Sequence, residues 1–214
     1  RDFDFTMNLR VLALSAALFV VAGLSVPVVR ADPASEASVF IETLAEDTVR
    51  ALTVGEVPRS ERISRFRVLF NDHFAVEAMA KWVLGRHWRR ADAPERAEYL
   101  RLFVDYIVAS FVDRFAEYAG EKLHITKAIA DDGISATVFS EIRLPGGSKT
   151  PARVNWRLDG VVGDFKIVDV VVEGVSMSTT MRSDFGSIIR REGGKLAGLL
   201  AVLRKKTETL RTAN

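Results

Sequence analysis

The segment 174–178 reads Gly-Val-Ser-Met-Ser and is the part of the chain most similar to a catalytic motif. A nucleophile elbow has the form Gly-x-Ser-x-Gly, and its serine requires a histidine later in the chain. Here Ser178 stands in place of the second glycine, and no histidine follows His124. The pattern therefore argues against a serine hydrolase of this type.

Metal and thiol chemistry are equally poorly supported by the residue types. His73, His87 and His124 lie far apart and match no zinc-site spacing. The chain has no cysteine, which excludes disulfides, thiolate ligands and a cysteine nucleophile. A net charge of +2 gives no strong bias toward nucleic acid. We expect no cofactor or metal and no nucleic-acid partner.

A few charged residues near the predicted strands are candidates for binding an anion or for fixing a turn. Arg153 and Arg157 lie on a polar strand face, and a guanidinium group suits a phosphate, although a solvated basic face is the alternative. Asp169 and Glu173 lie among apolar neighbours, where a carboxylate must be paired or hydrogen-bonded. We predict that Arg182 pairs with Glu173 and fixes the turn, with a gating hinge as the alternative.

The elements that position these residues begin with helices. Apolar residues recur at helical spacing over 35–53, from Ser60 onward and around Met79 to Val83. Asp92 and Glu95 have the spacing of a capping box, and the apolar pattern continues from there to Gly120. This predicts a helix of about 26 residues, which is a rod of roughly 40 Å. Helical spacing returns after Gly174, with a break at 193–194.

The middle of the chain alternates polar and apolar residues. Residues 134–144 and 152–158 have period two and flank a Pro-Gly-Gly-Ser turn at 145–148, which predicts an antiparallel hairpin. A strand over 165–172 and a weaker one over 123–128 complete the pattern. The sequence predicts an α+β fold, with helices packed on one face of a curved antiparallel sheet.

The first 31 residues are typical of a secretory signal peptide. A basic start at 7–10 precedes an apolar run at 11–29 and a Val-Arg-Ala cleavage site, so the mature chain would begin at Asp32. Residues 1–6 precede the start methionine of this pattern. An uncleaved membrane anchor is the alternative, since the apolar run is long enough to span a bilayer. We expect residues 32–214 to form a single periplasmic domain.

Three landmarks, taken together, resemble the MlaC or toluene-tolerance auxiliary family. They are Met-Ala-Lys-Trp-Val-Leu-Gly-Arg-His-Trp at 79–88, Ala-Pro-Glu-Arg at 93–96, and the run 164–176 ending in Glu-Gly-Val-Ser, with Arg-Ser-Asp-Phe at 182–185. Phe165 stands where a tryptophan is common in the family. The resemblance covers nearly the whole predicted mature chain, and the hopanoid-associated HpnM proteins share it.

The resemblance implies a periplasmic carrier that shuttles phospholipid between an outer-membrane lipoprotein complex and an inner-membrane ABC transporter complex. Its ligand could instead be a hopanoid, and a lipid-free adaptor with a filled core is a further alternative. The resemblance implies no catalysis. A carrier must enclose the acyl chains, so we expect an apolar cavity between sheet and helices. The head group would stay at its mouth, near Arg153, Arg157 or Arg182, and Glu173 is the candidate for gating lipid entry. The expected lining consists of Phe70, Met79, Val83, Phe103, Tyr106, Ile107, Phe111, Val138, Ile142, Val154 and Trp156, with a rim of Val175, Met177, Met181 and Phe185.

Overall fold

The fold is taken from a computed structural model, which describes residues 32–115, 120–131, 134–143 and 150–212. The predicted signal peptide over 1–31 and the predicted hairpin turn at 145–148 lie outside the described residues. No helix within the described ranges has the length and apolar content needed to cross a bilayer.

Seven α-helices and five strands make up the described part of the chain. The helices are α1 (Pro33–Thr53), α2 (Arg59–His73), α3 (Val76–Leu84), α4 (Arg86–Arg90), α5 (Ala93–Phe111), α6 (Met177–Arg191) and α7 (Leu196–Thr212). The strands are β1 (Lys122–Asp131), β2 (Ser135–Arg143), β3 (Ala152–Asp159), β4 (Lys166–Val172) and β5 (Val175–Ser176). The predicted α+β fold class is confirmed.

The capping box predicted at the start of α5 is confirmed. The side chain of Asp92 accepts a hydrogen bond from the backbone N–H of Glu95 at 2.8 Å, and the Glu95 carboxylate accepts one from the Asp92 backbone at 3.2 Å. These bonds satisfy two backbone donors that a helix N-terminus otherwise leaves free. The sequence therefore located the start of α5 correctly.

The far end of α5 differs from the prediction. The α-helix ends at Phe111 and continues as a 3₁₀ turn over Val112–Phe115, whereas the apolar pattern predicted a helix reaching Gly120. Residues 116–119 lie outside the described ranges. Apolar spacing of three and four residues suits both helix types, so periodicity alone does not show where an α-helix tightens.

The five strands form one antiparallel sheet in the order β1-β2-β3-β4-β5. The predicted hairpin is confirmed as β2 and β3, with Val138 opposite Trp156. The register shifts between Ile125 and Lys127 in β1, and again in β4 opposite Arg157 and Leu158. Such bulges bend a strand and increase the local twist of the sheet.

The buried apolar side chains form two clusters. In the first, the sheet cluster, Ala37, Ile41 and Leu44 of α1 pack on the sheet residues Ala136, Val138, Leu158, Phe165 and Ile167. The second, the helix cluster, joins α2, α3, α5, α6 and α7, and it includes Phe70, Met79, Val83, Tyr99, Phe103, Ile107, Phe185, Ile189 and Leu199.

Candidate functional site

The four hairpin residues expected to line a cavity lie on one face of the sheet. Alternate residues of a strand share a face, and the register places Val138 opposite Trp156 and Ser140 opposite Val154. Val138 and Val154 are buried, whereas Trp156 and Ile142 are partly exposed. We call this surface, formed by Val138, Ile142, Val154 and Trp156, the hairpin face.

Ser140 is the polar member of the hairpin face, and its hydrogen bonds are satisfied locally. Its hydroxyl donates to the carbonyl of Val154 at 2.8 Å and accepts from the indole Nε1 of Trp156 at 3.0 Å. A buried hydroxyl without such partners would be costly. The network therefore fixes the Trp156 ring and leaves the face apolar toward the interior.

The expected lining residues from the helices belong to the helix cluster. Phe70, Met79, Val83, Phe103, Ile107 and Phe185 are buried within it, and Tyr106, Phe111 and Met181 are partly exposed and packed against it. The predicted lining therefore falls into two groups. The helix packed on the sheet beside the hairpin face is α1, whereas α5 packs on α2, α3 and α7.

Phe74 connects the two groups, because it packs against both the sheet cluster and the helix cluster. Its ring lies 4.7 Å from that of Phe70, measured between centroids. The adjacent Ala75 N–H donates to the carbonyl of Ile167 in β4 at 2.9 Å. The end of α2 is thereby attached to the sheet at the boundary between the clusters.

The predicted pairing of Glu173 with Arg182 is wrong. Glu173 has a φ of 49° at the turn after β4, and its carboxylate accepts from the backbone N–H of Arg153 at 2.6 Å and from the Arg153 guanidinium at 3.1 Å. These bonds, the backbone one first, hold the pKa of Glu173 below its ordinary value. The β4–β5 turn directs Glu173 back to β3 rather than forward to α6.

Arg182 instead lies against the end of α3. Its guanidinium donates to the carbonyl of Trp82 at 2.6 Å and lies 4.7 Å from the centre of the Trp82 ring. A Cβ atom at Gly85 would come within 2.8 Å of the guanidinium, so glycine leaves room for this contact. Trp82 and Gly85 both lie in the 79–88 motif, but nothing in the sequence indicated that Arg182 contacts them.

Arg153 and Arg157 do not lie near the hairpin face. They alternate with Val154 and Trp156 along β3 and therefore point to the other side of the sheet. Arg153 pairs with Glu173, and Arg157 lies 3.4 Å from the Asp169 carboxylate. This placement favours a structural role and argues against contact with the head group of a lipid on the hairpin face.

Asp169 is a buried carboxylate with three hydrogen-bond partners. It accepts from the hydroxyl of Ser176 at 2.6 Å, from the backbone N–H of Ser178 at 3.0 Å and from Arg157 at 3.4 Å. Ser176 also caps α6 by accepting from the Thr179 N–H. The prediction that Asp169 is hydrogen-bonded is confirmed, and Ser176 serves as a cap.

Two grooves open on either side of α6. The first has a volume of about 260 Å³ and is lined in part by Tyr106, Met181 and Phe185. The second has a volume of about 350 Å³ and is lined in part by Val83, Arg182 and Phe185. Of the remaining rim residues, Val175 is 57% exposed and Met177 is partly exposed at the start of α6.

The fold and these contacts define an α+β protein whose apolar interior is divided between a sheet and a helical layer. The buried Ser140 and Asp169 form structural hydrogen bonds, and the described residues contain no cluster of metal-ligating side chains. The sequence model of the MlaC protein family matches residues 42–205. The chain belongs to the MlaC family, as the resemblance implied.

Two curated relatives are similar to part of the chain. The toluene tolerance protein ttg2D of Pseudomonas putida is 23% identical over 122 residues, which is 56% of each protein. The intermembrane phospholipid transport system binding protein MlaC of Haemophilus influenzae is 23% identical over 120 residues. That alignment covers 55% of this chain and 56% of the relative. The chain thus spans about half the length of the curated relatives that it matches.

A solved structure has the same fold. It is a phospholipid-binding protein from Ralstonia solanacearum in complex with a phospholipid, with a TM-score of 0.69 and 16% identity. The alignment covers 85% of this chain and 100% of that protein. At this identity the similarity establishes the fold.

Proposed function

We propose that this protein binds phospholipid, with the acyl chains between the sheet cluster and the helix cluster. It would carry the lipid through the periplasm between an outer-membrane lipoprotein complex and an inner-membrane ABC transporter complex. The observation that carries the proposal is the division of the apolar interior into two clusters, with Phe74 packed against both. Its relatives are named for phospholipid transport and phospholipid binding.

The free-energy cost of exposing acyl chains to water requires an apolar interior that can enclose them. A diacyl lipid has on the order of 30 chain methylenes, and exposing each to water costs about 0.8 kcal/mol, or roughly 25 kcal/mol in total. A single close-packed core has no room for this hydrocarbon. Two apolar layers can separate along their common boundary and receive the chains, and the lipid then replaces the contacts that the layers lose.

The proposed lining follows from this arrangement. The hairpin face would contact the chains from the sheet side, and Phe70, Phe103 and Ile107 would contact them from the helical side. Met79 and Met181 would adapt to chains of different length, since thioether side chains repack easily. The position of α1 on the sheet means that α1 must shift, or that the chains enter beside it.

The direct test is native mass spectrometry of the protein purified from the periplasm of its own host. We expect a chain beginning at Asp32 with one bound lipid, and organic extraction identifies that lipid as a phospholipid or a hopanoid. A lipid-free protein would contradict the proposal, and a hopanoid would assign the protein to the HpnM subgroup.

A pair of matched variants tests the position of the site. Ile142→Glu places a charge on the hairpin face, whereas Ile129→Glu places the same charge on the opposite face of the sheet, where Ile129 is 36% exposed. Burying an unpaired carboxylate against hydrocarbon is strongly unfavourable. We expect Ile142→Glu to lose most of the bound lipid while Ile129→Glu keeps it, with circular dichroism confirming that both fold. Equal lipid content in both variants would place the acyl chains elsewhere.

A further inference from the structure

The groove between the α3–α4 junction and α6 has a positively charged rim and an apolar floor. Arg86, Arg182, Arg190 and His87 line it from both sides, and no acidic side chain is among its described lining residues. The floor is formed by Val83, Leu84, Phe185 and Ile189. We call this surface the arginine groove.

Among the described residues, the arginines around this groove have no acidic partners. Arg86, Arg182 and Arg190 make no ion pair with any carboxylate in the described part of the chain. Several other arginines do form ion pairs, for example Arg59 with Asp113 and Arg204 with Glu98. A group of unpaired guanidinium groups around one groove leaves a local positive potential, even though the chain as a whole is nearly neutral.

Arg182 is held in position before any ligand arrives. One of its N–H groups is bonded to the Trp82 carbonyl and its plane lies over the Trp82 ring, while the lack of a side chain at Gly85 leaves space for it. A guanidinium has five donors, so others stay available for a ligand. A fixed fork of donors loses little entropy on binding and suits phosphate oxygens.

The environment of His87 reports the same positive charge. Burial lowers the pKa of His87, and the charges of Arg86, Arg90 and Arg190 lower it further. Guanidinium groups from α4 and α6 therefore act together on one side chain at the groove. A bound anion would relieve this repulsion.

We propose that the arginine groove binds the phosphate head group of an anionic phospholipid at a bilayer surface. The proposal goes beyond the acyl-chain site, because this contact requires no lipid in the interior. The exposed arginines would meet the phosphates and the apolar floor would accept the adjoining glycerol and first methylenes. Binding at this surface would bring the carrier to a membrane.

The test is flotation of the protein with vesicles of phosphatidylcholine, either alone or mixed with phosphatidylglycerol. The double variant Arg86→Gln/Arg190→Gln removes two rim charges and leaves Arg182 in place. The matched control Arg50→Gln/Arg143→Gln removes two exposed charges from α1 and β2. Each arginine near an anionic bilayer contributes about 1 kcal/mol, so losing two should weaken binding about thirtyfold. We expect this thirtyfold loss of vesicle binding only in Arg86→Gln/Arg190→Gln.

Three outcomes would contradict the proposal. They are equal binding of both double variants, equal binding of the unmodified protein to the two kinds of vesicle, and binding of inorganic phosphate without binding of vesicles. The last result, seen by phosphorus NMR with inorganic phosphate alone, would identify a soluble anion as the ligand. Measuring the lipid content of each variant by native mass spectrometry keeps this result separate from the acyl-chain site.

Discussion

At the scale of single residues, Asp169 has the most consequential contacts. Its carboxylate connects β4 to Ser176 and to the first turn of α6, so that one side chain fixes the direction in which the helix leaves the sheet. A carboxylate in this position is stabilised because both oxygens receive charge-assisted hydrogen bonds. The same bonds define the orientation of the helix that separates the two grooves.

We expect Asp169→Asn to lower the free energy of unfolding by about 1.5–3 kcal/mol, the range for hydrogen bonds to a charged group. An amide presents one acceptor oxygen in place of two, so it cannot accept from Ser176 and Ser178 in the same way. Urea unfolding measures the change. Asp159→Asn is the control, because Asp159 is exposed at the end of β3. Similar losses in both variants would contradict the role of Asp169.

Arg59 and Asp113 connect the start of α2 to the 3₁₀ turn after α5. The two side chains form paired contacts of 2.8 and 2.9 Å, and Arg59 also donates to the carbonyls of Leu210 and Arg211 near the end of α7. The hydrogen bond from Arg59, followed by its charge, lowers the pKa of Asp113 below 3.8. Arg59 therefore holds the start of α2, the 3₁₀ turn and the end of α7 together.

The sign of the pH dependence follows from the lowered pKa of Asp113. Its contribution to stability is present at neutral pH and is lost as pH falls through the pKa of the folded state. Because Asp113 is half exposed, we expect Asp113→Asn to cost under about 1 kcal/mol at neutral pH and nothing well below pH 3.8. Urea unfolding at the two pH values measures this difference. A cost that grows on acidification would contradict the assignment.

At the scale of elements, α1 determines how the sheet is covered. Its residues Ala37, Ile41 and Leu44 are almost fully buried in the sheet cluster, and the helix packs mainly on β1 and β2. Val39, Glu42 and Thr43 on the other side of the helix face solvent, as the helical period requires. A helix in this position covers Val138 of the hairpin face, while Ile142 and Trp156 stay partly exposed.

We expect Ile41→Ala to destabilise the protein by about 2–5 kcal/mol, because it leaves a cavity under α1. Val39→Ala on the same helix should cost little, since Val39 is 54% exposed and Ile41 only 1%. Thermal or urea unfolding compares the two variants. If Ile41→Ala were as mild as Val39→Ala, the packing of α1 on the sheet would be in doubt.

Some helices and strands could be predicted from sequence patterns, and others could not. The capping box located the start of α5, and period-two alternation located β2 and β3, because both signals depend on neighbours within a few residues. The end of α5 was wrong because the change to a 3₁₀ turn leaves the apolar spacing almost unaltered. The short helix α4 was not predicted separately, since its basic residues have no apolar periodicity.

At the scale of the whole molecule, the sheet and helix clusters give the described domain two apolar layers. The proposed acyl-chain site depends on the boundary between those layers. The arginine groove lies on the outer surface of the helix cluster, away from the sheet cluster, and is assembled from α3, α4 and α6. The two proposals therefore concern different surfaces, and each can fail without the other.

The sequence by itself determined most of the helices and strands, the apolar face of the longer ones, and the resemblance to the MlaC family. These features follow from backbone periodicity, capping and short motifs, which are local properties of the chain. The tertiary structure decided which faces meet. It placed α1 on the sheet and paired Glu173 with Arg153. It also brought Arg182 to Trp82, one hundred residues away in sequence. Such contacts depend on how distant elements pack together, and apolar or charged residues indicate that a partner is needed without specifying which one.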